Sequence, residues 1–405
     1  MANALLSKSA TVTPEDSARD FGAPAARVEA RRILLLCSLI TLPYRVMRCA
    51  AAAGAKVYVL GNGSSKGLGY SRHCRKFISN ELPVTGERDP SLAVEINRWI
   101  LEFGIDMVLP GDALAMRSLL AIKDLIGAPC FPAPDLRQFD FLNNKWNFTN
   151  LCKDLGIPCP DSILVGDRAE LLAKIENSRL EFPVIAKPLS LDASQGVFKL
   201  DAGNVHAQAK RIFYNPIIVQ EFIPGEDIGA SVYCEQGEIV SFIAHRLKRA
   251  TYETLDDPAI KPTIAQIARH QRLSGVFNFD MRRTPDNRIL YLECNPRFFF
   301  KMNLSMIAGI NFVARGLGRT DVPSAVAQGT KVRMPKALVA SLFTPWVLGG
   351  RDLKMLSYLV SDPISYARES LGIDWEKWSD GPMEPVASPA GKSSANLSEA
   401  MPARF

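Results

Sequence analysis

Apolar and polar positions along the chain switch between a strand-like period of two and a helix-like period near 3.6, with turn-forming residues between the segments. Between Arg31 and about Ala133, apolar runs at Ile33–Cys37, Lys56–Leu60 and Asp106–Leu109 predict strands. The intervening stretches near Tyr44–Ala53, Ser91–Phe103 and Ala113–Ile126 predict helices. Strands alternating with helices build parallel sheets, so residues 31–133 are expected to form a small parallel α/β domain.

The pattern changes from about Asn143. Helices are predicted over Lys145–Leu155, Asp167–Asn177 and Ile264–Leu273. Strands are predicted near Ile163 and at Pro183–Lys187, Val197–Leu200, Pro216–Phe222, Ile228–Tyr233, Ile239–His245, Val276–Arg282 and Ile289–Glu293. So many strands with so few helices imply an α+β arrangement with a largely antiparallel sheet, here assigned to residues 134–318. Residues 319–379 read as a helical C-terminal segment, in which Ala337–Leu348 is apolar enough to pack on a core and Pro345 argues against a membrane span. Residues 1–30 and 380–405 are rich in small and polar residues without periodicity and are expected to be disordered.

Composition narrows this picture slightly. A chain of 405 residues is long enough for two or three domains. The 48 Lys and Arg exceed the 42 Asp and Glu, giving a net charge of +6, but the two signs are interleaved. That favours a small anionic substrate over nucleic acid. The eight cysteines show no metal-ligand spacing. The early apolar stretch stops at Pro43, short of the roughly 20 residues that cross a bilayer. The N-terminus also lacks the apolar core of a signal peptide, and a reduced, cytoplasmic protein fits.

The glycine-rich stretch Gly61–Gly69 follows the second strand, whereas the dinucleotide fingerprint belongs after the first, whose turn Ser38–Pro43 has no glycine. A mobile loop is therefore expected there. Leu109–Asp112 ends a strand where open α/β sheets bind ligands, and Tyr70–Cys74, including His73, is placed to close over it.

The densest chemistry lies near Tyr291-Leu-Glu-Cys-Asn-Pro-Arg297. With Asp286 and Asn287 as a two-residue loop, Val276–Arg282 and Ile289–Glu293 form a hairpin that pairs Asp280 with Glu293 and Asn278 with Asn295. Phe277, Phe279, Leu290 and Leu292 then point to the opposite face. Carboxylates facing each other at roughly 5 Å repel by about 3 kcal/mol at an effective dielectric near 20. A hard cation such as Mg²⁺ would relieve this, and so would simple solvation beside Arg282; both readings stay open at this point. Upstream, the apolar strand ending at Lys187 runs into a small-residue loop, Ser190–Gly196, a combination suited to phosphates. The strand Ile217–Phe222 leads to a Pro-Gly turn followed by acids.

The order Ala186-Lys-Pro188, Gln220–Asp227, Asn278-Phe-Asp280 and Leu292–Arg297, over about 110 residues, resembles the ATP-grasp superfamily, with the likeness covering roughly Asn143–Phe312. The resemblance implies an ATP-grasp fold of two α+β subdomains after the N-terminal α/β domain, with ATP held between them. It also implies activation of a carboxylate as an acyl phosphate that an amine attacks, with ATP and Mg²⁺ (or Mn²⁺) as cofactors. On this likeness Lys145, Lys187, Ser194 and Gly196 serve the phosphates. Gln220, Glu221, Phe222 and Ile223 form the hinge around adenine, and Asp227 reaches the ribose. Asp280, Glu293 and Asn295 match the metal ligands, and Arg297 the arginine that stabilises charge in transfer. Arg246 and Lys248, at the end of a basic strand, are the candidate substrate cations; their alternative is a solvated strand end.

The expected partners are a small carboxylate and an amine, with a homodimer left open. A nucleotide-binding regulator without turnover, and an ATP-grasp phosphotransferase or carboxylase, are the other functions compatible with these residues. Two departures from the family pattern are the single glycine in Ser190–Gly196 and the bulky Phe298-Phe-Phe300 after Arg297, which would narrow the acceptor pocket or pack the core.

Overall fold

The five consecutive apolar residues Ile33–Cys37 are fully buried, which puts β1 (Arg32–Cys37) at the interior of a four-stranded sheet. Residues 31–176, 181–191, 195–335, 337–338 and 348–366 are described in the computed structural model. The two termini expected to be disordered, Asn177, Ser194 and most of Ala337–Leu348 lie outside them. The first sheet adds β2 (Lys56–Gly61), β3 (Cys74–Ser79) and β4 (Met107–Pro110) in the order β3-β2-β1-β4, all parallel, as expected. Ile33 and Leu35 pack with Tyr44 and Met47 of the helix Thr41–Ala52. Leu34 and Leu36 pack with Ile96 and Leu119 of the helices Pro90–Phe103 and Ala113–Ile122. Alternate residues of a strand facing opposite layers of helices is the doubly covered geometry of a parallel sheet.

Two sequence expectations change here. The glycine-rich stretch is a 3-10 helix, Gly63–Tyr70, anchored by buried Ser65 and Leu68 and leading into β3, a half-exposed, cation-bearing strand whose sequence gave little apolar signal. Asp112 is engaged as a cap. Its carboxylate accepts from Ser38 N at 2.7 Å, Ser38 Oγ at 2.8 Å and Ala115 N at 2.9 Å, tying the turn after β1 to the helix after β4.

A second, antiparallel sheet has the order β5-β8-β6-β7, from β5 (Ser162–Val165), β6 (Val184–Lys187), β7 (Phe198–Leu200) and β8 (Ile217–Glu221). The third and largest sheet has six antiparallel strands: β9 (Glu226–Glu235), β10 (Glu238–Lys248), β11 (Thr251–Leu255), β12 (Gly275–Arg283), β13 (Ile289–Asn295) and β14 (Lys331–Arg333), ordered β13-β12-β9-β10-β11-β14. One face of it packs through Phe277, Phe279 and Val232 on the helices Lys145–Asp154 and Ile260–His270. Its other face joins the core of the first sheet through Tyr233, Tyr252 and Phe298.

The C-terminal part, expected to be helical, contributes β14 as well as the helix Gly350–Val360. Buried Arg48 fastens that end to the first layer. Its guanidinium donates to Tyr44 Oη and the Tyr358 carbonyl at 2.7 Å each and lies 3.8 Å from the Tyr358 ring centre. All eight cysteines are free thiols. Among the described residues no helix is long and apolar enough to cross a membrane.

Candidate active site

The β12–β13 hairpin pairs Asp280 with Glu293 and Asn278 with Asn295, the register expected from the sequence, but the route to it differs. Thr284 and Arg288 close the turn, leaving a loop of Pro285, Asp286 and Asn287, with Asn287 in the left-handed region at φ 67°. That longer loop offsets the pairing of Arg282 with Leu290 and Met281 with Tyr291. A bulge then inserts Leu292 and restores the expected register at Glu293. The bulge also corrects the expected facing. Tyr291 joins Phe277 and Phe279 in the core, and Leu292 turns with Glu293 toward the cleft.

That cleft, of about 480 Å³, is walled on one side by Lys187 of β6 and by Gln220 to Ile223 at the end of β8. Asp280, Leu292 and Glu293 of the hairpin wall the other, with Lys145, Asp227, Arg282 and Lys301 around them. Nine of the residues singled out from the sequence thus meet in one place: Lys145, Lys187, Gln220, Glu221, Phe222, Ile223, Asp227, Asp280 and Glu293. Each is positioned by local structure. Lys145 is the first residue of its helix, capped by Asn144, and its backbone N–H donates to the Leu189 carbonyl at 2.8 Å, so that its ammonium turns in toward Glu293 at 3.3 Å. Lys187 ends β6 and donates to Gln220 Oε1 at 2.8 Å, while Gln220 Nε2 donates to Ser162 Oγ at 2.9 Å.

The other described candidates lie outside the cleft lining, and Ser194 falls outside the described residues. Asn295 is one ladder step beyond Glu293, and its Nδ2 donates to Asp280 Oδ2 at 3.0 Å. Arg297 is buried just past β13. Gly196 sits at φ 71°, its carbonyl accepting from Tyr214 Oη at 2.5 Å. Arg246 is held by Glu226 at 3.2 Å and Glu253 at 2.8 Å, so its charge is already met by two carboxylates. Lys248 ends β10 beside the turn Arg249–Ala250. Phe298 and Phe299 pack in the core.

Two cleft cations carry roles that the sequence did not reveal. Arg282, noted there only as relief for nearby acids, donates to the carbonyls of Ile223 at 2.6 Å and Gly225 at 3.1 Å and pairs with Asp227. It thereby ties the turn after β8 to β12. The close approach requires glycine at 225, where a Cβ would fall 2.0 Å from the Arg283 carbonyl oxygen at φ 136°. Lys301, in no recognisable motif, lies among the cleft residues near Asp280.

The charges are strongly coupled. Burial pushes the Asp280 carboxyl up to about 7, Glu293 opposite it adds to the rise, and Lys301 opposes it. Burial also acts against the Glu293 carboxylate, but Lys145 and Lys187 outweigh it and hold Glu293 below its ordinary value. Burial lowers Lys187 to about 8, with Glu293 pulling the other way. Two facing carboxylates, one of them reluctant to ionise, with an amide one ladder step away, make an all-oxygen donor set. Among the described residues no group of three or more His, Cys, Asp and Glu side chains forms a metal cage. The set therefore suits a hard cation that completes its shell with phosphate oxygens rather than a protein-enclosed ion.

Residues 213–336 match the family described as "ATP-grasp in the biosynthetic pathway with Ter operon". The D-aspartate ligase of Enterococcus faecium (strain Aus0004) is 22% identical over 373 residues, spanning 76% of this chain and 87% of that protein. Among solved structures, the L-amino acid ligase from Bacillus licheniformis superposes with a TM-score of 0.54 at 16% identity, covering 71% of this chain and 73% of the other. The carboxyaminoimidazole ribonucleotide synthase from Aspergillus clavatus, complexed with ATP, gives 0.55 at 16% identity, with 74% and 80% covered. At such identities the superpositions speak for the fold. Together with the family match over residues 213–336 and the signature residues gathered in one cleft, they make the chain similar to the ATP-grasp superfamily in fold and in the make-up of its site.

Proposed function

We propose that the protein is an ATP- and Mg²⁺-dependent ligase that activates a carboxylate as an acyl phosphate and joins it to an amine. The observation that carries this is the facing pair Asp280 and Glu293, in a cleft whose far wall is Lys187 and the Gln220–Ile223 segment.

In this reading adenine lies along Glu221–Ile223, and the Asp227 carboxylate, steadied by Arg282, accepts from the ribose. Lys145 and Lys187 hold phosphate oxygens as point charges, and an anion beside Lys187 would favour its charged form against the burial that lowers it. Ser194 and Gly196 belong to the loop assigned to cover the phosphates. Asp280, Glu293 and Asn295 would hold the metal, which supplies charge neutralisation to the transferring phosphoryl group. Arg297 would balance charge on the acyl phosphate from its buried position after β13. Positioning and electrostatics suffice for phosphoryl transfer, so no side-chain nucleophile is required. The assignment of residues 31–133 and 134–318 to separate domains belongs to the same reading, as does a cytoplasmic setting, which the eight free thiols favour.

The relatives' names, a D-aspartate ligase and an L-amino acid ligase, point the substrate search to amino acids, with D-aspartate among them. The test is to incubate the protein with ATP, Mg²⁺ and pooled amino acids and follow ADP. Substrate-dependent ADP that is lost in Glu293→Ala is the expected result. Turnover that survives that substitution overturns the site. ATP binding without ADP from any acceptor favours a regulator instead, and phosphorylation of a hydroxyl, with no acyl phosphate trapped by hydroxylamine, favours a phosphotransferase.

A further inference from the structure

Beside the metal carboxylates stands a buried imidazole with no assigned role. Across the large sheet, Glu293 pairs with Asp280, Asp280 with Gly229, Gly229 with His245 and His245 with Thr254. Directly paired residues of an antiparallel sheet point to the same side, so Asp280 and His245 share a face with only a glycine between them. A Cβ at position 229 would lie 3.0 Å from both Cε1 and Nε2 of His245. The imidazole therefore leans over β9 toward Asp280, filling the space that any other residue at 229 would take. Its opposite support is Tyr252, stacked at 4.7 Å and 24° and itself hydrogen-bonded to Ser305 Oγ at 2.9 Å.

His245 is 1% exposed, and its Nδ1 is buried without a hydrogen-bond partner. Buried polar atoms are nearly always satisfied, and such an exception calls for a ligand or water to complete it. Burial, with help from Lys301, holds the imidazole well below its ordinary value and so keeps the ring uncharged, against the Ile243 backbone, which acts the other way. A neutral imidazole offers one donor and one acceptor. Lys301, partly exposed in the cleft, acts electrostatically on both Asp280 and His245 and supplies the positive charge that the pair of groups would otherwise lack.

We propose that His245 and Lys301 form the subsite for the substrate carboxylate and the acyl phosphate made from it, on the β9 side of Asp280. The inference rests on the ligase reading, which puts the transferring phosphate at Asp280 and Glu293. The acceptor oxygen must then lie within bonding range of that phosphate, and along the shared row the next side chain beyond Asp280 is the His245 imidazole, because Gly229 between them has none. A planar anion at that edge of the cleft would meet the Lys301 ammonium and an imidazole N–H, the ring being held in place by its stack on Tyr252.

Nuclear magnetic resonance on the imidazoles tests this in the whole protein, because the chain has only four histidines. With MgADP present, acetyl phosphate is added as the minimal acyl phosphate, and the His245 signals are assigned from their loss in His245→Phe, a substitution that keeps the ring stack on Tyr252. The expected result is a shift confined to His245, abolished in Lys301→Met. If ADP phosphorus signals show that MgADP binds but His245 does not move, the subsite is wrong and the nucleotide reading stands. If MgADP does not bind, the nucleotide reading and this inference fall together. With a carboxylate that supports turnover, His245→Phe should raise its KM about tenfold or more and leave the KM for ATP within about twofold. Equal effects on both, or a collapse of the melting transition rescued by no conservative variant such as His245→Asn, would mark a structural role and overturn the proposal.

Discussion

Asp280 on β12 faces Glu293 on β13 because Leu292 is bulged out of the ladder between them and the turn. The bulge turns Leu292 and Glu293 to the same side, and it places a carboxyl raised to about 7 beside one held below its ordinary value. The pair is a store of repulsion that a bound cation would release.

Asp280→Asn should therefore stabilise the metal-free protein in a pH-dependent way. An unfolded Asp loses its proton near pH 4 and the folded one near 7, so native stability falls as pH rises through that window. Replacing the carboxyl by an amide removes the loss. The gain in unfolding free energy should be near zero at pH 4 and on the order of 2 kcal/mol above pH 7, discounted because the group borders an open cleft. Urea unfolding of both proteins at the two pH values measures it.

Lys187→Met removes the ammonium that donates to Gln220 and that is proposed to hold a phosphate oxygen. A charge-assisted contact of this kind is worth about tenfold or more in affinity. ATP binding by calorimetry should weaken by at least that factor while the melting temperature changes little, since burial already disfavours the charged lysine.

Arg282→Gln unties the turn after β8 from the hairpin by removing contacts to the Ile223 and Gly225 carbonyls and to Asp227. The expected outcome is a KM for ATP raised about tenfold with kcat changed by less than about threefold. A loss confined to kcat would count against a role in shaping the nucleotide pocket.

Arg48→Ala leaves Asp362 buried near a missing cation and removes the clasp on Tyr358. Breaking such a buried arrangement typically costs about 3 kcal/mol or more. Chemical unfolding should show that loss, and limited proteolysis should cut first around the helix Gly350–Val360.

Several of these features were legible in the sequence, and the exceptions have physical causes. Lys187, the Gln220–Ile223 segment and the Asp280–Glu293 facing follow from short-range order: a strand, its turn and a count of residues. The facing was correct although the loop was not two residues long, because the Leu292 bulge cancels the extra loop residue. β11 escaped notice because its turn, Arg249–Ala250, uses left-handed backbone at φ 47° and 56° without the Gly or Asn that normally signals it. β14 is three residues long and is paired only at a sheet edge. Lys301 and His245 carry no local signature; only the pairing of β12, β9 and β10 and the position of the segment after β13 bring them near Asp280.

The central claim is that Asp280 and Glu293 create a site for Mg²⁺-bound ATP. Calorimetric titration of ATP into the wild-type protein and into Glu293→Gln, with and without Mg²⁺, tests it most directly. The wild type should bind ATP about tenfold or more tightly when Mg²⁺ is present, and the folded variant should lose that enhancement. Equal ATP affinity with and without Mg²⁺ in the wild type, or an undiminished Mg²⁺ effect in Glu293→Gln, would contradict it.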